Sequence, residues 1–289
     1  MSRLGRIAAY CALLLIPVLA QIDLRVETAI VTETPINGVS TTPDGRVFLL
    51  YARVDGSTGP TIVEQVGNTT EAYPNLEWNS YNSNKDPATH FVRINSQRIG
   101  PDGHLWAVDV GSPAFGEPVI LPKGPKLIVI DVNTNEVSRI YPMGNVTLAS
   151  SLLDDIRFNP AANKAYLTDA GVPALIVLDL ASGEARRFLE DDISTRGSMP
   201  ISAEGRLLHS PDGSFQFIYA DQLEVSPGAE WLYYQPASGG MYRVPTKAID
   251  QAFYNSSMAS VLGQYTEPYA LTPSTGKLAK EINLVTRMH

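Results

Sequence analysis

The chain has 289 residues, 44% hydrophobic and 18% charged, with 30 acidic against 22 basic side chains and a formal net charge of −8. The basic residues are scattered apart from Arg186-Arg187, which excludes a nucleic-acid stripe, and the acidic balance repels anionic lipid surfaces. A single cysteine, Cys11, excludes a disulfide framework and a Cys-ligated zinc.

At the N-terminus, Arg3 and Arg6 precede the apolar run Ile7 to Leu19, and Val18-Leu19-Ala20 supplies small residues ahead of Gln21. This pattern predicts a secretory signal peptide over 1–20, too short for a membrane span, and hence an extracellular protein. Cleavage after Ala20 removes Cys11 and two arginines, taking the net charge from −8 to −10. About 270 residues remain, enough to bury a core without disulfides. The sequons at Asn68, Asn145 and Asn255 are candidate glycosylation sites.

Four times a tight-turn sequence launches a short apolar strand: at Pro43-Asp44-Gly45, Pro101-Asp102-Gly103, Asn159-Pro160-Ala161 and Ser226-Pro227-Gly228. The aromatic residues of those strands, Phe48, Trp106, Tyr166 and Tyr233, lie 58, 60 and 67 residues apart. A period of that size, opening each time with a turn and a strand, predicts one four-stranded blade of a β-propeller per unit. Two units continue in matching hairpins, Lys126 to Tyr141 and Ala174 to Leu189, 48 residues apart, each with an Asp closing its first strand. Helical periodicity is confined to Thr246 through Val261. Trp106 and Tyr233, lying within strands, are expected between blades. The connections 74–90 and 191–209 are polar and aromatic and are expected at the ends of a central channel. Positions 35–276 cover about four to four and a half blades. The tail 277–289 starts no further turn-strand unit, which leaves the ring unclosed as written and predicts oligomerisation through its open faces.

Gly103-His104-Leu105-Trp106-Ala107-Val108-Asp109-Val110-Gly111 resembles a signature of the yellow/major royal jelly protein family. Pro125-Lys126-Leu127-Ile128-Val129-Ile130-Asp131, Leu153-Asp154-Asp155-Ile156, Ala165-Tyr166-Leu167-Thr168-Asp169-Ala170-Gly171 and Asp221-Gln222-Leu223-Glu224-Val225-Ser226-Pro227 are similar to further segments of it, in the same order. The resemblance implies a secreted all-β fold, a six-bladed propeller, here lacking its last blades. It also implies functions ranging from dopachrome conversion to amine binding and nutrient storage. Asp154, Gln222 and Glu224 depart from the family's usual residues at the channel mouth.

Standard catalytic signatures are missing: there is no G-x-S-x-G, H-E-x-x-H, P-loop or G-x-G-x-x-G. The four histidines show no ligand spacing, and His104 reads as a solvated turn residue. The chemistry is expected instead from Asn37, Asp154, Asp155 and Asp221, which stand where inner strands begin. One reading takes Asp154 and Asp221 as acid/base groups of a cofactor-free tautomerase or isomerase. Asn37 and Asp155 then contact the ligand, and Trp78 and Tyr81 stack on an aromatic or cationic metabolite. A second reading takes Asn37, Asp154 and Asp221 as ligands for Ca²⁺ or another divalent metal in a lactonase-type hydrolase, as in the gluconolactonase propellers that this architecture also resembles. In a third these residues cap turns, and the chain is a storage or non-functional truncated product.

Overall fold

A computed structural model describes residues 27–203, 205–210 and 212–271; the expected signal peptide and the tail 277–289 lie outside them. Residues 1–33 and 34–289 are separate compact units, and every strand and helix below belongs to the second.

Four antiparallel four-stranded sheets follow one another along the chain, each a simple meander. The first comprises β1 (Gly38–Thr41), β2 (Val47–Leu50), β3 (Ile62–Val66) and β4 (Thr69–Ala72). The second comprises β5 (Ile94–Ile99), β6 (Leu105–Asp109), β7 (Lys126–Asp131) and β8 (Glu136–Pro142). The third runs through β9 (Leu153–Asn159), β10 (Lys164–Asp169), β11 (Ala174–Asp179) and β12 (Ala185–Phe188). A short helix α1 (Ile193–Arg196) and a small hairpin of β13 (Ser202–Ala203) and β14 (Arg206–Leu207) lead to the fourth sheet. It contains β15 (Ala220–Val225), β16 (Trp231–Pro236) and β17 (Met241–Pro245), then helices α2 (Thr246–Tyr254) and α3 (Ser256–Val261), and closes with β18 (Glu267–Ala270).

The repeated turns explain the repeated strands. In the second copy the Asp102 carboxylate accepts from the His104 N–H at 3.1 Å and the Trp106 indole N–H at 3.0 Å, while Gly103 takes φ +78°. Only glycine adopts that backbone without penalty, so Pro-Asp-Gly both reverses the chain and orients the tryptophan. In the third copy Asn159 does the equivalent work, its side chain accepting from Ala162 N–H at 3.3 Å.

Strands β7, β10 and β11 are buried along almost their whole length because both of their faces are covered, and β7 and β11 are accordingly near-continuous apolar runs. Phe48, Leu50 and Tyr73 of the first sheet's unit pack on Leu105, Ile128 and Ile130 of the second. Trp106, Val108 and Leu127 of the second pack on Leu153, Ile176 and Leu178 of the third. Tyr166, Leu175 and Val177 of the third pack on Leu232, Tyr234 and Val244 of the fourth and on Ile249 and Phe253 of α2. Each sheet thus buries one face on its successor. First strands of successive sheets lie side by side. The Ser40 hydroxyl donates to the Gln97 carbonyl at 3.3 Å, Ser96 to that of Asp154, and Thr168 to that of Asp221 at 2.6 Å. Meander sheets stacked face to face with converging first strands are the arrangement of a β-propeller.

The helical segment divides at Asn255, whose backbone leaves helical geometry and whose side chain accepts from Ser257 and Met258 N–H at 3.0 and 3.1 Å, capping α3. One face of α2, with Ala248, Ile249, Ala252 and Phe253, closes the outer end of the third interface, and the Tyr166 hydroxyl donates to Asp250 at 2.8 Å. Trp106 lies between sheets as expected, stacked on Tyr141 at 5.5 Å and edge-on to Phe158 at 5.0 Å. Tyr233 does not. Strand alternation sends Tyr234 into that core, and Tyr233 lies half-buried on the opposite face against Tyr269 at 4.7 Å.

Candidate functional site

The residues beginning the inner strands are built into one line. Asn37 directly precedes β1, and its amide donates to the carbonyl of Asn95 in β5. The Asn95 amide donates to the carboxylate of Asp154 in β9. The Thr168 hydroxyl, facing β9, accepts from the Asp155 N–H at 3.3 Å and donates to the carbonyl of Asp221 in β15 at 2.6 Å. The side chain of Gln222 also reaches Asp221, at 3.4 Å. Asn95, Asp154 and Asp221 are 1%, 2% and 2% exposed.

Local backbone geometry explains the repetition. Pairing with the second strand slips between Ile94 and Ser96, between Leu153 and Ile156, and between Ala220 and Gln222. An extra residue at such a bulge re-aims its side chain. Asn95 was missing from the sequence-based set. The signal for it is a spacing: Asn37, Asn95, Asp154 and Asp221 each lie six residues before the proline of their turn, Pro43, Pro101, Pro160 and Pro227.

The remaining expected residues are placed elsewhere. Asp155 pairs with Arg157 at 2.7 Å, and Arg157 also bridges to Glu224 at 2.7 Å. Burial disfavours the Arg157 charge, but Asp155 and Glu224 outweigh it and raise the pKa of the guanidinium. Trp78 packs its ring on Phe91 at 5.2 Å, against the core between the first two sheets, and Tyr81 is half-buried in the 74–90 connection. Asn68, Asn145 and Asn255 are exposed.

Two other aspartates hold the strand ends together. Asp109, ending β6, is fully buried and accepts from Val92 N–H at 2.8 Å, Arg93 N–H at 3.0 Å, Gly111 N–H at 2.9 Å and the Lys126 ammonium at 2.6 Å. Asp169, ending β10, accepts from the Ser151 hydroxyl at 2.5 Å, Leu152 N–H at 2.9 Å, Val172 N–H at 3.0 Å and Arg187 at 2.8 Å. Each carboxylate ties the segment entering a first strand to the end of the second strand. The Asp-x-Gly of the signatures is therefore a structural staple.

Directly before the inner strands is a half-open cavity of about 300 Å³. Its walls include Arg93, Leu152 and Ile218, which lie two, two and three residues ahead of Asn95, Asp154 and Asp221. Phe115 and Phe217 also line it, 53% and 41% exposed, and Glu117 is its one carboxylate among the described residues. Arg93 is 7% exposed; its Nε donates to the Ser112 carbonyl at 3.1 Å, whereas its Nη1 has no acceptor. Burial lowers the Arg93 pKa, with Asp109 acting in the opposite sense. The inner-strand line offers a hard cation amide and carboxylate oxygens from two Asn and two Asp. Among the described residues, no group of three or more His, Cys, Asp or Glu assembles to hold a metal.

The profile of the family described as "Major royal jelly protein" matches residues 97–267. No curated protein matches the chain. Among solved structures, a gluconolactonase from Xanthomonas campestris is similar at 13% identity and a TM-score of 0.48, over 84% of this chain and 64% of that one. YCF48 from Cyanidioschyzon merolae is similar at 13% identity and a TM-score of 0.38, over 74% of this chain and 51% of that one. YCF48 bound to D1 peptide is similar at 10% identity and a TM-score of 0.38, over 70% and 48%. The chain thus spans between about half and two thirds of the length of these structures. Among the described residues, no helix is long and apolar enough to cross a membrane.

Proposed function

The chain belongs to the major royal jelly protein family, and from that premise we propose that it is a secreted small-molecule-binding protein whose ligand sits in the cavity ahead of the inner strands. The observation that carries this reading is the pair of exposed rings, Phe115 and Phe217, on a cavity whose walls include Arg93, Leu152 and Ile218, two or three residues ahead of Asn95, Asp154 and Asp221. At about 300 Å³ it lies at the small end of ligand pockets, which span roughly 300–1,000 Å³. A single aromatic or indole-like ring system fits that volume. The six-bladed ring of the family is part of the proposal.

A tautomerase or isomerase step is the catalytic form of the same reading. One carboxylate, Asp154 or Asp221, takes a proton from the bound metabolite and returns it to another atom of the same molecule, with no cofactor and no net change in protons. Calorimetric titration of secreted protein with a panel of catechol- and indole-type compounds tests the binding. We expect saturable one-to-one binding, weakened at least about fivefold in Phe217→Ala through loss of ring contact. Binding that Phe217→Ala leaves untouched would remove the cavity from the proposal. Tightly held divalent metal together with lactone hydrolysis would replace this reading with the hydrolase one.

A further inference from the structure

The cavity contains a charge that the fold does not neutralise. Among the described residues, three of the four buried lysine and arginine residues have a carboxylate partner: Lys126 with Asp109, Arg157 with Asp155 and Lys164 with Asp179. Arg93 is the exception on the cavity wall. It is more than nine-tenths buried and, among the described residues, has no ion pair; one nitrogen is spent on the Ser112 carbonyl and Nη1 is left without an acceptor. The acidic group that acts electrostatically on it, Asp109, is occupied by Lys126 at 2.6 Å and by three backbone N–H groups. A buried guanidinium with a nitrogen that the protein leaves without an acceptor is suited to an anion that can accept a charge-assisted N–H bond. The rings of Phe115 and Phe217 share the same cavity, and among the described residues the only carboxylate on it, Glu117, is exposed.

Resting on the reading of the cavity as a ligand site, we propose that its ligand is an aromatic carboxylate. The acid group is held by Arg93, and the ring lies against Phe115 and Phe217. This reverses the charge expected from the acidic composition of the chain. Overall charge describes the surface, whereas selection in the cavity is made by the buried basic group on its wall. An ammonium in the same position meets Arg93 as a like charge and leaves Nη1 still unsatisfied.

The test compares three probes of one ring system on the wild-type protein: indole-3-acetate, indole and tryptamine, each titrated by calorimetry at pH 7. Indole-3-acetate is expected to bind at least about tenfold more tightly than tryptamine, because a hydrogen bond to a charged group is gained in one case and lost in the other. Arg93→Met is expected to erase that preference. Glu117→Gln, an exposed change that does not depend on Arg93 packing, is expected to strengthen the acid and weaken the amine. Tryptamine binding as tightly as indole-3-acetate, or a preference for the acid that survives in folded Arg93→Met, overturns the assignment of Arg93 and leaves the ligand cavity standing. Failure of all three probes to bind overturns the cavity reading itself and this inference with it.

Discussion

Replacing Asp169 by Ala tests whether the signature aspartates hold the sheets together or perform chemistry. The side chain is fully buried and accepts from Leu152, Gly171 and Val172 N–H, the Ser151 hydroxyl and the Arg187 guanidinium. Alanine leaves at least two buried N–H groups without an acceptor, at about 1–3 kcal/mol each. It also strips Arg187, whose side chain is 8% exposed, of its 2.8 Å partner. Part of that loss is offset, because Arg187 still donates to the Val146 and Val172 carbonyls and pairs with Glu190 at 3.2 Å. The expected cost is about 4 kcal/mol, against a total stability of roughly 5–15 kcal/mol. For a domain of this size, that lowers the melting temperature by roughly 8–16 °C. Asp131→Ala is the control. Asp131 caps an exposed hairpin through Asn133 N–H at 2.8 Å, so its loss should lower the melting temperature far less. Asp169→Asn retains one acceptor oxygen but loses the charge, and should fall between the two. Thermal melts followed by near-ultraviolet circular dichroism measure all three. Equal shifts in Asp169→Ala and Asp131→Ala, or an Asp169→Ala protein that melts with the wild type, would refute the staple argument.

Asp179 is held well below the usual carboxylate range, first by its hydrogen bond from Lys164 at 2.7 Å and then by Ser182 N–H, with the Tyr254 hydroxyl adding a further bond at 2.7 Å. A depressed carboxylate contributes stability above its unfolded value of about 3.9 and loses that contribution as pH falls towards its folded value. The gap in melting temperature between wild type and Asp179→Asn should therefore be constant above about pH 5 and close as the pH drops below about 4; a gap that widens in acid contradicts the assignment. Two glycine substitutions separate strain from collision. A Cβ on Gly111, at φ +73°, would lie 2.2 Å from Pro125 N and 2.3 Å from Gly124 C, so Gly111→Ala should not yield soluble folded protein. Gly103→Ala, at φ +78° with nothing within 4 Å, should fold with a loss of about 1–2 kcal/mol.

Much of the architecture was legible in the linear chain because it rests on local rules. A Pro-Asp-Gly turn followed by a short apolar run needs only its own residues to form, and its repetition at near-constant spacing announced a repeated sheet. The aspartates closing β7 and β11 were equally readable, since an Asx turn closes within a few residues. The capping Asn255 divided a helix that hydrophobic periodicity had left whole. A cap is a competition between side-chain and backbone hydrogen bonds that periodicity does not register. For Tyr233 and Tyr234 the local pattern allowed either to face inwards, and the register of β16 decided for Tyr234.

The candidate site was legible only in part. Three of the four inner-strand residues, Asn37, Asp154 and Asp221, stood out as polar groups where strands begin, and the fourth, Asn95, was hidden by its ordinary surroundings until the six-residue spacing to each proline placed it. By itself, the sequence determined the period, the turns, the strands and the polar residue ahead of each turn, because each depends on interactions within a few residues. Tertiary structure alone decided that these residues would meet across four sheets, that Asp109 and Asp169 would be consumed as staples, and that Arg93 would be buried beside two phenylalanines without a counter-charge. Those outcomes depend on contacts between segments tens of residues apart, and on which charges find partners once water is excluded, which no local pattern of residues encodes.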